Sequence, residues 1–261
     1  MSRVAPAASA ATPRFAALEV LSEPSYRRLW HSGLFVNTAR WMDLVVLGWL
    51  SYQLTGSPFM VGLAAFARSA PMMALGPLAG IVADRAHRGR VLLATQTLGL
   101  LTGLALAVVF ARGAGGYWPL VGLEVLFGVL WALDFPARRT SIFTLVGPRR
   151  VANAVSLETV SMQIAKVLGP LAAGWCLARM GPAACYALMA VMYAGGLAAC
   201  LALSSKLGTP GATNPGSVGA SMRAGLQAAW ASGTVKAVLL VTIGMNTLFF
   251  PYQHMLPVFA R

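Results

Sequence analysis

The stretch that decides the fold runs from Gly80 to Arg90 and reads GIVADRAHRGR. A long apolar segment precedes it and another follows it, so it predicts a short turn between two antiparallel membrane helices. Its arginines favour the cytoplasmic side of the membrane, because Lys and Arg near helix ends resist translocation. Gly80 would let a neighbouring helix approach closely. Asp84, at a helix end, needs a cation or a helix N-terminus as its partner.

The composition of the whole chain indicates a polytopic membrane protein. Of its 261 residues, 57% are hydrophobic and only 10% are charged, whereas a soluble domain carries about 25% charged residues. The mean hydropathy is +0.69. The net charge of +13 does not indicate nucleic-acid binding, because the basic residues lie between apolar runs and are better interpreted as topology signals. The three cysteines have no C-x-x-C spacing and predict neither a disulfide framework nor a zinc site.

Seven apolar stretches approach the roughly 20 residues that cross a bilayer, and we predict an all-α fold from them. They cover about 32–54, 59–83, 91–111, 117–135, 152–177, 182–203 and 235–259. The predicted domains are a cytoplasmic tail with an interfacial helix (1–30), a six-helix bundle (31–203), a cytoplasmic linker (204–233) and a seventh helix that begins a second bundle (234–261). With the N-terminus inside, fourteen basic residues fall on the inner side and three on the outer side, which predicts a cytoplasmic N-terminus.

A short sequence element occurs in both halves of the predicted six-helix bundle. Residues 75–80 read LGPLAG and residues 168–174 read LGPLAAG. The two elements lie three predicted spans apart, in helices that cross in opposite directions, which is the geometry of a 3+3 inverted repeat. The alternative is chance, because these residue types are common in membrane helices.

Polar and charged residues lie inside several predicted spans. A charge in hydrocarbon costs about 2.5–3.5 kcal/mol on insertion scales, so it persists where it faces a cavity or a partner. We expect Arg40 and Asp43, three residues apart, to share a helix face and partly neutralise each other. The set either lines a proton or substrate path or forms interhelical pairs that fix packing. Its members are Asn37, Arg40, Trp41, Asp43, Arg68, Glu124, Gln163 and Lys166.

A second charged set lies at the predicted cytoplasmic helix ends. Acid–arginine pairs there could latch an inner gate and break when the protein opens inward; the alternative is a solvated basic loop. The set consists of Gly80, Asp84, Arg85, Arg88, Arg90, Asp134, Arg138 and Arg139.

Two further features bear on function. Gly169 and Pro170 predict a helix bend with close packing, because proline removes a helix hydrogen bond. The sequence has no nucleophile elbow, P-loop or H-E-x-x-H motif, so we expect neither an enzyme nor a cofactor or metal site.

The spacing in Gly80–Arg90 resembles the G-x-x-x-D-R-x-x-R-x-R loop between the second and third helices of the major facilitator superfamily. His87 and Gly89 depart from residues common there. Three further segments resemble the branch with enterobactin exporters and macrolide efflux proteins: YRRLW at 26–30, DFPARR at 134–139 and ANAVSL at 152–157. The resemblance covers the chain from Tyr26 onward.

The resemblance implies the N-terminal six-helix bundle of a twelve-helix transporter, plus a seventh helix. It implies alternating access in the bacterial plasma membrane and proton-coupled efflux of a siderophore or drug. The Gly-Pro element of the fifth helix is similar to one in proton-driven exporters. The expected partners are a small-molecule substrate, protons, the lipid bilayer and a second half, supplied by the same longer chain or by another chain. The alternative is a truncated remnant or half-transporter scaffold that does not transport.

Overall fold

The computed structural model describes the backbone at residues 16–203, 207–208, 227 and 230–248. Side chains are described at residues 18–76, 86–203, 207–208, 227, 230–238, 240–242 and 244. Most of the predicted linker (204–233) and residues 249–261 of the predicted seventh helix (234–261) therefore lie outside the described residues. The side chains of Asp84 and Arg85, and the surroundings of Gly80, lie outside them as well.

The described chain is helical, which confirms the all-α prediction for this part of the protein. Glycines with positive φ end three of the long helices, Gly56 at 65°, Gly147 at 71° and Gly181 at 81°, a conformation that glycine adopts without steric strain. The elements are α1 (Ala16–Glu19), a 3-10 helix (Val20–Ser22), α2 (Pro24–Thr55), α3 (Pro58–Arg85), α4 (Arg88–Ala111), α5 (Tyr117–Val146), α6 (Val151–Met180), α7 (Pro182–Leu201) and α8 (Gly233–Leu248).

Five segments in the described residues are long and apolar enough to cross a membrane: Pro58–Gly76, Arg88–Ala111, Tyr117–Val146, Val151–Met180 and Pro182–Leu201. Helix α2 has 32 residues but is not among them, because Asn37, Arg40 and Asp43 lower the hydropathy of its middle. These spans make the chain an integral, multi-pass membrane protein. The count of six helices plus one stays a prediction.

The start of α2 differs from the expected interfacial helix. Pro24 begins a helix that runs without a break to Thr55, because proline suits the first helical turn, where its missing N–H is not needed. The Tyr26 hydroxyl donates to the Ala154 carbonyl at 2.8 Å, and Trp30 Nε1 donates to the Leu157 carbonyl at 3.0 Å. Residues 24–30 are therefore packed against α6 as part of the bundle.

Two apolar clusters form the core. One cluster joins the start of α2, α4 and α6 to the ends of α5 and α7, and contains Tyr26, Leu29, Leu92, Ala137, Ile142, Ala154, Leu157 and Cys200. We call the region that holds this cluster the amino-terminal end of the bundle. The other cluster fills the middle and the opposite end, and includes Met42, Leu106, Phe127, Tyr186 and Met189.

The helix pairing has the symmetry of an inverted repeat. The most extensive contacts join α2 to α6, α4 to α7 and α3 to α5. If α2, α3 and α4 are exchanged in order with α5, α6 and α7, the pair α2–α6 becomes α5–α3 and the pair α4–α7 is unchanged. This packing is what a 3+3 repeat requires.

Candidate functional site

Arg68 of α3 joins acids from two other helices. Its Nη1 atom contacts Oδ2 of Asp43 on α2 and lies 2.8 Å from Oε2 of Glu124 on α5. Oε1 of Glu124 accepts a hydrogen bond of 3.3 Å from the hydroxyl of Tyr186 on α7. All four residues are buried. We call Asp43, Arg68, Glu124 and Tyr186 the Arg68 network.

The charges of the Arg68 network do not balance. Two carboxyl groups face one guanidinium, so ionisation of both would leave one excess negative charge in a buried position. Oδ1 of Asp43 is buried and has no hydrogen-bond partner among the described residues. Unbalanced charge in a low-dielectric interior is costly, so a proton bound to one of these acids would stabilise the network.

Gly128 lets the helices that carry the Arg68 network approach each other. It lies one turn after Glu124 on α5, and a Cβ atom there would collide with the main-chain oxygen of Arg68. Because a glycine removes this obstacle, α3 and α5 pack closely enough for Arg68 to reach Glu124.

A second buried set surrounds Asp134 of α5. Arg138 donates from Nε to Asp134 Oδ2 and from Nη2 to Asp134 Oδ1, both at 3.2 Å. Oδ1 also accepts from Gln96 Nε2 at 3.0 Å and from Thr95 Oγ1 at 3.3 Å. Arg40 Nη2 lies 3.9 Å from Oδ2. We call these five residues, together with Glu158, the Asp134 network.

The Asp134 network links α5 to α2 and α6. Arg138 Nη1 donates to the Leu29 carbonyl of α2 at 3.1 Å. A Cβ atom on Gly33 of α2 would lie 3.2 Å from Glu158 Oε1 and 3.4 Å from Arg138 Nη1, so Gly33 leaves the room that these charged groups occupy. The network holds two acids and two arginines, and its formal charges therefore balance.

A small cavity adjoins the Asp134 network. Its volume is about 20 Å³, which is room for about one water molecule. Asn37, Arg40, Asp134, Arg138 and Glu158 contribute to its lining, so a water there would find polar partners.

Two expectations about these charges are wrong. Arg40 and Asp43 do not form the predicted pair, because Arg40 Nη1 donates to Asn37 Oδ1 at 3.1 Å while Asp43 contacts Arg68. Residues 134–139 do not mark the end of the fourth helix, as the predicted span 117–135 implies, because α5 continues through Pro136 to Val146. Asp134 and Arg138 are 3% and 5% exposed, so a solvated loop does not describe them.

The remaining members of the predicted gate set lie elsewhere. Only residues 86 and 87 separate α3 from α4, as the turn in Gly80–Arg90 predicts. Arg88 Nη1 donates to Thr144 Oγ1 near the end of α5. Arg90 is exposed, and exposed Arg139 has its guanidinium 5.6 Å from the Phe135 ring centre. The latch itself stays a prediction.

Helices α2 and α6 meet where the polar path was expected. A Cβ atom on Gly169 of α6 would lie 2.7 Å from both Met42 N and Trp41 Cβ of α2. Lys166 Nζ lies 5.1 Å from the Trp41 ring centre, and Lys166 and Gln163 are both exposed. Helix α6 is unbroken through Pro170, so the bend stays a prediction.

The sequence does not predict some members of the two networks. Gln96 is a polar residue inside the third predicted span and could have been noticed for that reason. Tyr186 and Thr95 give no such signal, because tyrosine and threonine are common in membrane helices. Within the described part of the chain, no three His, Cys, Asp or Glu side chains converge as metal ligands would.

Long apolar helices packed around buried ion pairs define a polytopic α-helical membrane protein. The chain belongs to the transmembrane secretion effector family of the major facilitator superfamily, whose sequence profile matches residues 15–261.

Three matched proteins illustrate the relationship. The staphyloferrin A transporter of Staphylococcus aureus (strain NCTC 8325 / PS 47) is 24% identical over 67% of this chain and 45% of its own length. The MFS-type transporter y4rN of Sinorhizobium fredii (strain NBRC 101917 / NGR234) is 31% identical over 58% of this chain and 37% of its own. A crystal structure of a mutant peptide transporter POT with alafosfalin shares the fold, with a TM-score of 0.62 at 19% identity over 83% of this chain and 46% of that one. The chain thus spans less than half the length of these proteins, which are named as transporters and not as enzymes.

Proposed function

We propose that this chain forms the N-terminal bundle of a facilitator that moves a small molecule across the bacterial plasma membrane by alternating access. The family and the fold support a transport role. In the proposed orientation the N-terminus and the turn at Ala86 and His87 face the cytoplasm, and the bias of basic residues supports it. A second bundle, in the same longer chain or in another chain, would complete the substrate site.

We propose that transport is coupled to protons through the Arg68 network. The observation that carries this proposal is that two acids, Asp43 and Glu124, contact the single cation of Arg68, which gives one excess negative charge when both are ionised. One proton would balance that charge. The proposed acceptor is Oδ1 of Asp43, which has no hydrogen-bond partner among the described residues. The Asp134 network has balanced charges, so we assign it to holding the helices and the inner gate together. The remaining gate residues, Gly80, Asp84, Arg85, Arg88, Arg90 and Arg139, are proposed to support that gate.

We propose efflux of a siderophore or drug as the direction and substrate class. Support comes from the resemblance of 26–30, 134–139 and 152–157 to exporters, and from a matched relative that is named a staphyloferrin A transporter. In this proposal the substrate passes along the exposed faces of α2 and α6.

The test uses inside-out membrane vesicles from bacteria that express the protein. The vesicles are made acidic inside, a panel of siderophores and amphiphilic drugs is added, and proton release is followed with a pH-sensitive dye. We expect at least one compound to collapse the gradient. Asp43→Asn and Glu124→Gln should abolish this release, because each removes a proton-binding carboxylate. Glu19→Gln is the matched control, since Glu19 is an exposed acid outside the networks.

Two results would contradict the proposal. Compound-driven proton release that survives in both Asp43→Asn and Glu124→Gln would remove the Arg68 network from coupling. Absence of release with every compound, in vesicles that contain folded protein, would favour a non-transporting scaffold.

A further inference from the structure

Lys166 is a cation in the middle of a membrane helix, and it has no acidic partner in the part of the chain that the structure describes. It is the sixteenth of the 30 residues of α6 and is exposed. The carboxylates Asp43, Glu124 and Asp134 each form ion pairs with arginine. In the described ranges, no carboxylate lies within ion-pair distance of Lys166. An ammonium at this depth is expensive unless it faces a cavity or a partner.

The surroundings of Lys166 suit a negatively charged group. Its Nζ atom lies 5.1 Å from the Trp41 ring centre, a cation–π contact that stabilises the ammonium but leaves its charge uncancelled. Gln163, one turn earlier on the same helix face, is also exposed and offers amide hydrogen-bonding groups. A carboxylate could take hydrogen bonds from both side chains, and charge-assisted hydrogen bonds are the strong ones.

A shallow, open apolar groove runs along the exposed face of α6 beside Lys166. Gln163 is one of its lining residues, and Ile164, Val167 and Leu168 supply most of the rest. Leu168 and Val167 are 47% and 59% exposed. A ligand that spans the pair and the groove would need an anionic group joined to an apolar body.

We infer that the transported molecule is an amphiphilic organic anion whose carboxylate binds Lys166 and Gln163 and whose apolar part lies in the α6 groove. This inference rests on the proposed transport function and narrows its substrate class. A cationic drug would be repelled by Lys166, so the inference separates the anionic members of the siderophore and drug class from the cationic ones.

The test measures binding to the native protein in lipid nanodiscs by equilibrium dialysis. The probes are two matched pairs, 1-naphthoate with 1-naphthamide and 1-pyrenebutyrate with 1-pyrenebutanamide, in which only the charge of the polar group differs. We expect at least one carboxylate to bind about tenfold more tightly than its amide, as a charge-assisted hydrogen bond predicts.

Variants of the protein test whether Lys166 causes the preference for carboxylates over amides. Lys166→Gln should remove it, and Lys166→Arg should keep it within about threefold, because the charge is retained. Arg179→Gln is the matched control: it removes the same charge from an exposed position in the last turn of the same helix, and should leave the preference intact.

Two outcomes would overturn the inference. One is equal binding of both carboxylates and their amides to the unaltered protein. The other is a carboxylate preference that survives in Lys166→Gln. If that variant also has a lower unfolding temperature, Lys166 would be assigned to pairing with an acid of the second bundle.

The failure of this inference is distinguishable from the failure of the proposed function. A carboxylate preference that needs Lys166, in a protein whose vesicles release no protons with any compound, would refute transport and leave the anion site. Compound-driven proton release that Lys166→Gln does not alter would refute the anion site and leave transport.

Discussion

Arg138 holds the carboxylate of Asp134, one helical turn before it, with two hydrogen bonds of 3.2 Å. The same guanidinium donates to the Leu29 carbonyl at 3.1 Å. The Asp134–Arg138 pair lies within α5, and the same planar guanidinium also binds a carbonyl of α2. The pair therefore fixes the position of α2 as well. This arrangement occurs at the amino-terminal end of the bundle, where α2, α5 and α6 meet.

Replacement of Asp134 should therefore destabilise the bundle strongly. Asp134→Asn leaves Arg138 and Arg40 buried with less compensation, and loss of one partner of a buried pair costs about 3–5 kcal/mol. The unfolding temperature in detergent can be followed with a maleimide that fluoresces on reaction with the buried free cysteines, Cys176, Cys185 and Cys200.

Arg139→Gln is the control for this measurement, because Arg139 is the exposed neighbour of Arg138. It should change the unfolding temperature little. Equal losses in Asp134→Asn and Arg139→Gln would mean that the Asp134 network does not hold the helices together.

The Arg68 network should respond differently to loss of its cation and loss of an acid. Arg68→Met leaves Asp43 and Glu124 facing each other without a counter-charge, whereas Glu124→Gln leaves one acid and one base in balance. An uncompensated buried charge is the costly case, so Arg68→Met should give the much larger fall in unfolding temperature. Similar falls in both variants would show that charge balance does not govern this network.

The sequence predicts the fold of this protein better than it predicts the site. Helix positions follow from apolar length and from the turn in Gly80–Arg90, because both depend on local residue type. The ends are harder to predict. The apolar stretch stops at residue 135, yet tertiary partners bury the charges of Asp134 and Arg138, and α5 continues to Val146. A hydropathy pattern carries no information about partners that lie far away in sequence.

The pairing of charges was hard to predict for the same reason. Arg40 and Asp43 are neighbours along one helix, but Asp43 meets Arg68 and Arg40 lies near Asp134. Which pair forms depends on how α2, α3 and α5 are rotated about their axes, and this rotation depends on close contacts such as Gly128 against Arg68. Single-helix spacing indicates which residues share a face, and does not indicate which helix that face meets.

The hydroxyl of Tyr26 should stabilise the amino-terminal end of the bundle more than an exposed ion pair does. Tyr26→Phe removes its buried 2.8 Å hydrogen bond to Ala154, a loss of about 1 kcal/mol. The pair of Glu19 with Arg150 spans 3.2 Å, but its side chains are 63% and 53% exposed, and exposed pairs contribute roughly 0–1 kcal/mol. We expect Tyr26→Phe to lower the unfolding temperature more than Glu19→Gln; the reverse order would contradict this account.

The contact between α2 and α6 can be tested with two glycines of the same helix. A Cβ atom on Gly169 would lie 2.7 Å from Met42 N and 2.9 Å from the Thr38 carbonyl oxygen, and backbone atoms cannot yield as a flexible side chain can. Gly169→Ala should therefore separate the helices and lower the unfolding temperature. Gly174 has nothing within 4 Å of a Cβ atom, so Gly174→Ala should be neutral or stabilising by up to about 1 kcal/mol from helix propensity.

The same contact between α2 and α6 also brings Lys166 to Trp41. Gly169→Ala should therefore weaken the carboxylate preference in the binding assay, whereas Gly174→Ala should not. A Gly169→Ala protein as stable as Gly174→Ala would show that α2 and α6 are not held at this distance in the membrane.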